Sequence, residues 1–263
     1  MPAAESIAQL TMRPKTALRG LVALTVVAMV VMNFLANALP FFGRGTGAVS
    51  ALYPTLVTPA GYVFAIWALI YLGMLAYAVA QFVSPLADDP LPDRLAWPLI
   101  LSNVANVVWL LLWQSLNIYW TVPVMLVLLA SLIAAYLIAR RDRPGQLSAL
   151  ERWTVRAPIS VYVGWISIAT IADIAAALYA ARWSGWGVPA AWWGVIVLIV
   201  GAALAFAGLA RDRDGVFAGV FVWAFAGIAV ATSSLPERIV AAVLAVAILA
   251  GIVVAVVTRR RIA

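Results

Sequence analysis

One acidic residue, Asp173, lies inside an apolar stretch of the chain, whereas the other acidic residues lie in the segments between such stretches. A carboxyl group at membrane depth costs at least about 2.5 kcal/mol and is by default a candidate for function. No basic residue lies inside an apolar stretch to pair with it. Asp173 is therefore expected to be protonated, to be hydrogen-bonded to an Asn or Tyr side chain, or to face a wet cavity. A neutral Asp that only joins two helices is the alternative.

Aromatic and polar side chains recur at helical spacing in four of these stretches. Trp165, Ala169 and Asp173 are spaced i, i+4 and i+8, so they share one face of a helix. Similar stripes are formed by Phe64, Trp67, Tyr71 and Met74, by Asn106, Trp109 and Trp113, and by Asn33 and Asn37. At about 1.5 Å of rise per residue, one layer of the outer half of the membrane holds Asn33, Trp67, Trp109 and Asp173, with Trp165 about 10 Å closer to the cytoplasm. Such a layer predicts a small-molecule pocket, and plain helix packing is the alternative.

The composition is that of a membrane protein. Of 263 residues, 66% are hydrophobic and 10% are charged, whereas a soluble domain carries about 25% charged residues. Cysteine and histidine are both absent. Their absence excludes disulfides, Cys/His metal sites, His-ligated haem and His-dependent catalytic triads. No metal site and no required cofactor are expected.

Eight stretches reach the roughly 20 mostly apolar residues that a membrane-spanning helix needs. They are roughly 19–39, 60–83, 96–116, 119–139, 157–180, 190–210, 216–233 and 239–258. The runs are too long for strands, and they lack alternation. With the N-terminus in the cytoplasm, the far side holds only three basic residues, Arg44, Arg182 and Arg238. This bias follows the positive-inside rule, so we predict an all-α integral membrane protein of eight helices with cytoplasmic N- and C-termini.

The flanking segments add expectations about location and partners. The arginines flank the spans and do not cluster, so the lipid bilayer is the expected partner and nucleic acid is not. A single lysine, Lys15, in an Arg- and Ala-rich chain is typical of a GC-rich bacterial genome, which favours a bacterial cytoplasmic membrane. Residues 36–38 resemble a signal-cleavage site, but the preceding apolar run is longer than usual. The long, Pro- and Gly-bearing segment 40–58 is predicted to be a lid, with an ordinary loop as the alternative.

Three motifs carry a resemblance to a known family. Thr58-Pro-Ala-Gly-Tyr-Val-Phe-Ala-Ile-Trp67-Ala-Leu-Ile-Tyr71 resembles the second-helix signature of the translocator protein family, which includes TspO, the peripheral benzodiazepine receptor and tryptophan-rich sensory proteins. Asn106-Val-Val-Trp109 with Trp113 is similar to its third-helix motif, and Tyr162-Val-Gly-Trp165 through Asp173 to its fifth-helix motif. The departures are a single Pro59 for a Pro pair, Val161 for Pro, Ala172 for Leu and Asp173 for Asn.

The resemblance covers about residues 17–181 and implies a domain plan. A cytoplasmic tail, 1–18, precedes a five-helix bundle, 19–181, capped by the first loop. A three-helix extension, 182–258, has no counterpart in the five-helix family, and a basic cytoplasmic tail, 259–263, follows. In the extension, Gly194, Gly201 and Gly208 recur every seven residues, and Gly215 and Gly219 have GxxxG spacing. These small-residue faces predict close helix contact, with the bundle or with a second copy in a homodimer.

The family resemblance also implies a ligand site. Carried over residue by residue, the cavity wall holds Trp67, Asn106, Trp109, Trp165 and Ala169, with Asp173 at the Asn position, and the stripes add Asn33, Phe64 and Tyr71. Such cavities bind porphyrins, haem-type tetrapyrroles, sterols or benzodiazepine-like molecules, so a hydrophobic small molecule is the expected partner. A flat tetrapyrrole stacks on indole faces, and no His or Cys would ligate its metal.

The expected role is binding for sensing, sequestration or transfer of that ligand. Two alternatives stay open. One is a proton-linked transporter in which Asp173 takes up protons. The other is a porphyrin-degrading enzyme with Trp67 or Trp165 as a redox relay, although an enzyme is the less favoured reading.

Overall fold

Long helices form almost the whole of the protein. The computed structural model describes the backbone of residues 2–39, 41–141 and 148–262 and, within these ranges, the side chains of residues 15–258. The described residues contain no strand. The long helices are α1 (Pro2–Ala38), α2 (Ile66–Ala80), α3 (Leu91–Gln114), α4 (Ile118–Arg141), α5 (Ala157–Ala180), α6 (Ala190–Asp212), α7 (Gly215–Ala231) and α8 (Leu235–Ile262).

Short helical segments lead into or connect these helices. The first is an α-helix, Thr46–Leu52, in the predicted lid; residue 40 of that lid lies outside the described residues. A 3₁₀-helix, Gly61–Ala65, leads into α2, and a π-helix, Arg152–Arg156, leads into α5. The remaining segments are Leu86–Asp88, Ala149–Glu151 and Gly185–Gly187.

The predicted fold class is confirmed. Seven of the described helical segments are long and apolar enough to cross a membrane, and α7 is a shorter apolar helix. Its 17 residues span about 26 Å at 1.5 Å per residue, slightly less than a hydrocarbon core of about 30 Å. The segments predicted as tails continue helices, because α1 begins at Pro2 and α8 ends at Ile262.

Five helices close into a ring around the candidate site. α1 packs against α2 and α3, α3 against α4, α4 against α5, and α5 against α2. α7 packs against α5, and α8 packs against both α6 and α7. The two termini lie at one end of the bundle, and the segment 46–58 lies at the other.

A buried polar cluster joins the extension to the ring. Arg140 of α4 forms an ion pair with Asp214, and its guanidinium also donates to the Ser160 hydroxyl over 3.0 Å. The Tyr136 hydroxyl donates to carboxylate oxygens of Asp214 and Asp212, at 3.1 and 3.2 Å. Asp214 also caps α7, because its other oxygen accepts the backbone N–H groups that begin that helix. These charges therefore fix the position of α7 against α4 and α5.

The glycine face of α6 packs within the same chain. A Cβ at each position would lie 3.0 Å or less from a side chain of α7 or α8: Gly194 from Glu237, Gly201 from Phe225, and Gly208 from Phe217. The predicted close contact is confirmed for this face, and its partner is the extension itself. It is not borne out at Gly219 of the GxxxG pair, because nothing lies within 4 Å of a Cβ placed there. Because α7 and α8 cover the glycine face of α6, that face is not open to a second copy, and a homodimer through the remaining small-residue face, at Gly215 and Gly219, stays a prediction.

Candidate ligand-binding cavity

A cavity lies inside the ring at the end away from the termini. It has two adjacent parts: a wide chamber of about 600 Å³ and a narrow chamber of about 60 Å³. Phe64, Trp67 and Trp109 line both parts. The walls come from α1, α2, α3, α5, the segment 46–59 and the 3₁₀-helix before α2, and the end of α7 contributes Ala231.

The structure brings most of the predicted site residues together. Asn33 and Tyr71 line the wide chamber, and Trp165, Ala169 and Asp173 line the narrow one. With the three shared aromatic residues, eight of the nine predicted residues line the cavity. Whether they bind a ligand stays a prediction.

The aromatic wall is centred on Trp67. Its ring stacks on that of Tyr71, one helical turn further along α2, with centroids 5.5 Å apart. The Trp165 indole meets Trp67 edge-on at 6.1 Å and Phe64 edge-on at 5.7 Å. These are the separations that aromatic pairs prefer. The rings therefore hold one another in place and present a preformed apolar surface.

The rings of Trp165 and Trp67 are in contact, with centroids 6.1 Å apart, although Trp165 was predicted to lie about 10 Å closer to the cytoplasm. Trp165 precedes Asp173 by eight residues on the same helix, and Asp173 bonds to Trp109, its neighbour in the predicted layer. The rise per residue describes backbone positions, whereas long indole side chains reach along the helix axis, so a backbone offset does not keep the two rings apart.

Asp173 is buried in the narrow chamber, with 3% of its surface exposed. Its Oδ1 accepts the indole N–H of Trp109 over 3.1 Å, which joins α5 to α3. A hydrogen bond from Asn or Tyr was one of three predicted alternatives, beside a protonated carboxyl and a wet cavity; the donor is instead the indole of Trp109, which reaches the carboxyl from α3. The second oxygen, Oδ2, has no hydrogen-bond partner among the described residues.

The predicted wall residue Asn106 lines neither chamber. Its side chain accepts from the Asn33 amide over 2.8 Å and donates to the Tyr162 hydroxyl over 3.0 Å. Tyr162 in turn donates to the sulfur of Met29 over 3.4 Å. This buried chain of hydrogen bonds joins α1, α3 and α5 behind the aromatic wall, so Asn106 positions the wall and does not form it.

The segment predicted as a lid lies over the cavity. Thr46 and Ser50 line both chambers, and Tyr53 lines the narrow one. The Trp113 indole N–H donates to the Thr46 carbonyl over 3.1 Å, and the Tyr53 ring lies 6.2 Å from that of Trp113. The segment was predicted as a lid, but none of its side chains was predicted to line the cavity. The i, i+4 and i+7 spacing of Thr46, Ser50 and Tyr53 could have shown that they share one helix face.

Small residues on α5 widen the narrow chamber. Ala172 and Ala176 line it together with Ala169, at a spacing of i, i+3 and i+7 along one face. Of these three alanines, only Ala169 was predicted to line the ligand site. A stripe of alanines opposite indole rings was the missed signal, because it leaves space where larger side chains would fill the cavity.

The extension supports the entrance to α2. The Trp223 indole N–H donates to the Val63 carbonyl over 3.0 Å, and its ring meets Tyr62 edge-on at 5.4 Å. The Ala60 N–H donates to the Gly227 carbonyl over 3.2 Å. α7 therefore fixes the 3₁₀-helix from which Phe64 enters the cavity.

Besides Asp214, the extension holds a second buried acidic residue that the spacing analysis did not single out. Glu237 lies in the first turn of α8, has no exposed surface and contacts Gly194. It accepts a hydrogen bond from the hydroxyl of Ser234, three residues earlier. A Ser three residues before a Glu at a span boundary was the available sequence signal.

Together these features define an integral membrane protein whose helix bundle encloses an aromatic cavity. The sequence profile of a family described as TSPO-like protein matches residues 19–257. The chain therefore belongs to the TSPO-like protein family. Searches of curated proteins and of solved structures gave no match. The family match continues through α6, α7 and most of α8, so it covers the extension as well as the ring.

Proposed function

We propose that this protein binds a hydrophobic, planar ligand in the cavity and serves to sense, sequester or transfer it. The ligand classes are porphyrins, other tetrapyrroles and sterol-like molecules. The observation that carries the proposal is the continuous indole and phenol surface around Trp67, which faces a chamber of about 600 Å³. Ligand pockets commonly measure about 300–1,000 Å³ and combine apolar walls with a few polar groups.

The side chains that line the cavity suit a flat, apolar ligand. Trp67 and Trp109 line both chambers, so a planar ligand can contact indole rings from both α2 and α3. Polar groups are few, chiefly the hydroxyls of Thr46, Ser50 and Thr58, which would orient the ligand's periphery. The chain has no His or Cys, so a macrocycle would be held through its faces and edges.

The test is a ligand panel on the purified protein in detergent. Protoporphyrin, haem, a sterol and a carotenoid are titrated and followed through ligand absorbance, so that replacing a tryptophan does not remove the signal. Trp67→Ala and Trp165→Ala should each weaken binding by about 1 kcal/mol, roughly fivefold. Trp97→Ala is the matched control, because that side chain is 65% exposed outside the cavity. Unchanged titrations in both cavity variants would show that the ligand binds elsewhere.

A further inference from the structure

The unpaired carboxylate oxygen of Asp173 can accept a hydrogen bond from a ligand in the cavity. Asp173 is almost fully buried and lines the narrow chamber. One carboxylate oxygen accepts from Trp109, and the other has no partner among the described residues. Thr121 also lies beside the carboxyl, but its hydroxyl donates to the Ile118 carbonyl over 2.6 Å. A buried acceptor without a donor carries an unrecovered desolvation cost.

The cavity supplies no positive charge to that oxygen. Among the described residues that line the two chambers, Asp173 is the only one with a carboxyl group, and none is Lys or Arg. The remaining polar groups of the lining are hydroxyls, amides and indole N–H groups, and the N–H of Trp165 has no hydrogen-bond partner among the described residues. A ligand that brings a donor relieves the cost, whereas a ligand that brings a carboxylate next to Asp173 adds repulsion or a second buried acceptor.

The indole rings of the narrow chamber also favour a ligand that carries a positive charge. Trp109, Trp113 and Trp165 line the narrow chamber together with Asp173. The face of an indole ring attracts a cation, and this attraction grows when the cation is removed from water. An acidic group among several indoles is therefore a combination that favours a positively charged nitrogen over a neutral or negative group of the same size.

We propose that Asp173 makes the cavity selective for flat aromatic ligands that carry a hydrogen-bond-donating nitrogen, above all a protonated amine. The nitrogen enters the narrow chamber and donates to Asp173 Oδ2. Any carboxylates of the same ligand lie in the wide chamber, near the hydroxyl groups of the lid. This inference rests on the proposed function, since it concerns the same cavity and names the chemical class that the cavity prefers.

Three probes with one aromatic body test the selectivity. 1-Pyrenemethylamine, 1-pyrenemethanol and 1-pyrenecarboxylate differ only in a charged donor, a neutral donor and an anion. Each is titrated into the full-length protein in a neutral detergent and followed by pyrene fluorescence. Because detergent takes up the probes unequally, each affinity is corrected for the probe's measured partition into protein-free micelles and then compared between the native protein and Asp173→Asn. Asp88→Asn, which removes an exposed carboxylate, is the matched control.

The amine should bind the native protein about tenfold more tightly than the carboxylate, and Asp173→Asn should remove most of that difference by weakening the amine. Equal binding of all probes to the native protein, or equal losses for all probes in Asp173→Asn, overturns the selectivity. If Asp173→Asn does not fold, the order of the probes on the native protein decides.

Trp67→Ala separates this result from the proposed function. If it weakens all three probes while Asp173→Asn has no selective effect, the cavity binds planar ligands and only the selectivity fails. If no pyrene binds but a tetrapyrrole does, the same conclusion holds. If Trp67→Ala changes no probe and no tetrapyrrole, the proposed function fails as well.

Discussion

Filling the narrow chamber from α5 should block the cavity without touching its aromatic wall. Ala169 lines this chamber, whose volume is about 60 Å³. A water molecule needs about 15 Å³ by the same measure, so the chamber holds roughly four atoms of that size. Ala169→Thr adds two such atoms and takes up about half of the space. Overpacking of this kind costs about 1–3 kcal/mol, so the ligand should bind about 5- to 150-fold more weakly.

The assay is titration of protoporphyrin into native protein, Ala169→Ser and Ala169→Thr, with a thermal melt of each. Ser adds one atom and should give an intermediate loss. Ala175→Thr is the matched control, because Ala175 lies on the same helix but lines a separate groove between α5 and α6. Ala176 is unsuitable as a control, because it lines the narrow chamber too. Full affinity in Ala169→Thr, or the same loss in Ala175→Thr, would refute the steric reasoning.

Three further substitutions probe the supports of the cavity. Trp109→Phe leaves the buried Asp173 carboxyl without its donor and should lower the free energy of unfolding by about 1–3 kcal/mol, measured in a denaturant or thermal melt. Asn106→Leu breaks two interhelical hydrogen bonds and should cost about 1–2 kcal/mol, with a smaller effect on ligand affinity than Trp67→Ala has in the same titration. Asp214→Asn leaves Arg140 without its counter-charge and should cost about 3–5 kcal/mol in the same melt, whereas unchanged melting would show that this ion pair is solvated.

The helices could be predicted because a bilayer leaves the backbone few choices. Every N–H and C=O in hydrocarbon must be paired within a helix or a closed barrel, so length and hydrophobicity alone identify the spans. The residues at which the helices begin and end were less predictable. The helical segment before α5 begins at Ala149, inside a stretch that carries Glu151, Arg152 and Arg156, because polar side chains at the membrane surface do not stop a helix.

The site was predictable where one helix face carries several of its residues. The i+4 spacing of Trp67 and Tyr71 fixes a shared face, and the structure bears this out as a stacked pair. Contacts between elements were not predictable in this way. The Thr46 carbonyl meets Trp113 only because the lid helix folds back over α3, and Asn106 turns to Asn33 because α1 lies on that side. Neither contact can be deduced from the spacing of residues along a single helix.

The hydrogen bonds and ring contacts between the helices around the cavity bear on the choice between binding and transport. Alternating access would require α3 and α5 to separate, because they form opposite walls. Two buried hydrogen bonds join them, from Trp109 to Asp173 and from Asn106 to Tyr162, and the aromatic contacts of Trp67 span α2 and α5. The lid contacts the ring through the Thr46 backbone, which accepts from the Trp113 indole and donates to Asn37 over a long 3.4 Å, and through the side chains of Tyr53 and the buried Val49. Because no hydrogen bond among the described residues joins a lid side chain to the ring, movement of the lid is the easier route.

Entry by the lid predicts that ligand enters and leaves from one side of the membrane. Liposomes that contain the protein should bind a tetrapyrrole added to the lid side without passing it to an inner acceptor, with or without a proton gradient. A disulfide between cysteines introduced at Ser50 of the lid and Trp113 of α3, which both line the narrow chamber, should slow both binding and release, and reduction should restore them. Ala51→Cys with Trp113→Cys controls for the loss of the tryptophan. Proton-driven flux that Asp173→Asn abolishes would instead require the ring to open, and would favour the transporter.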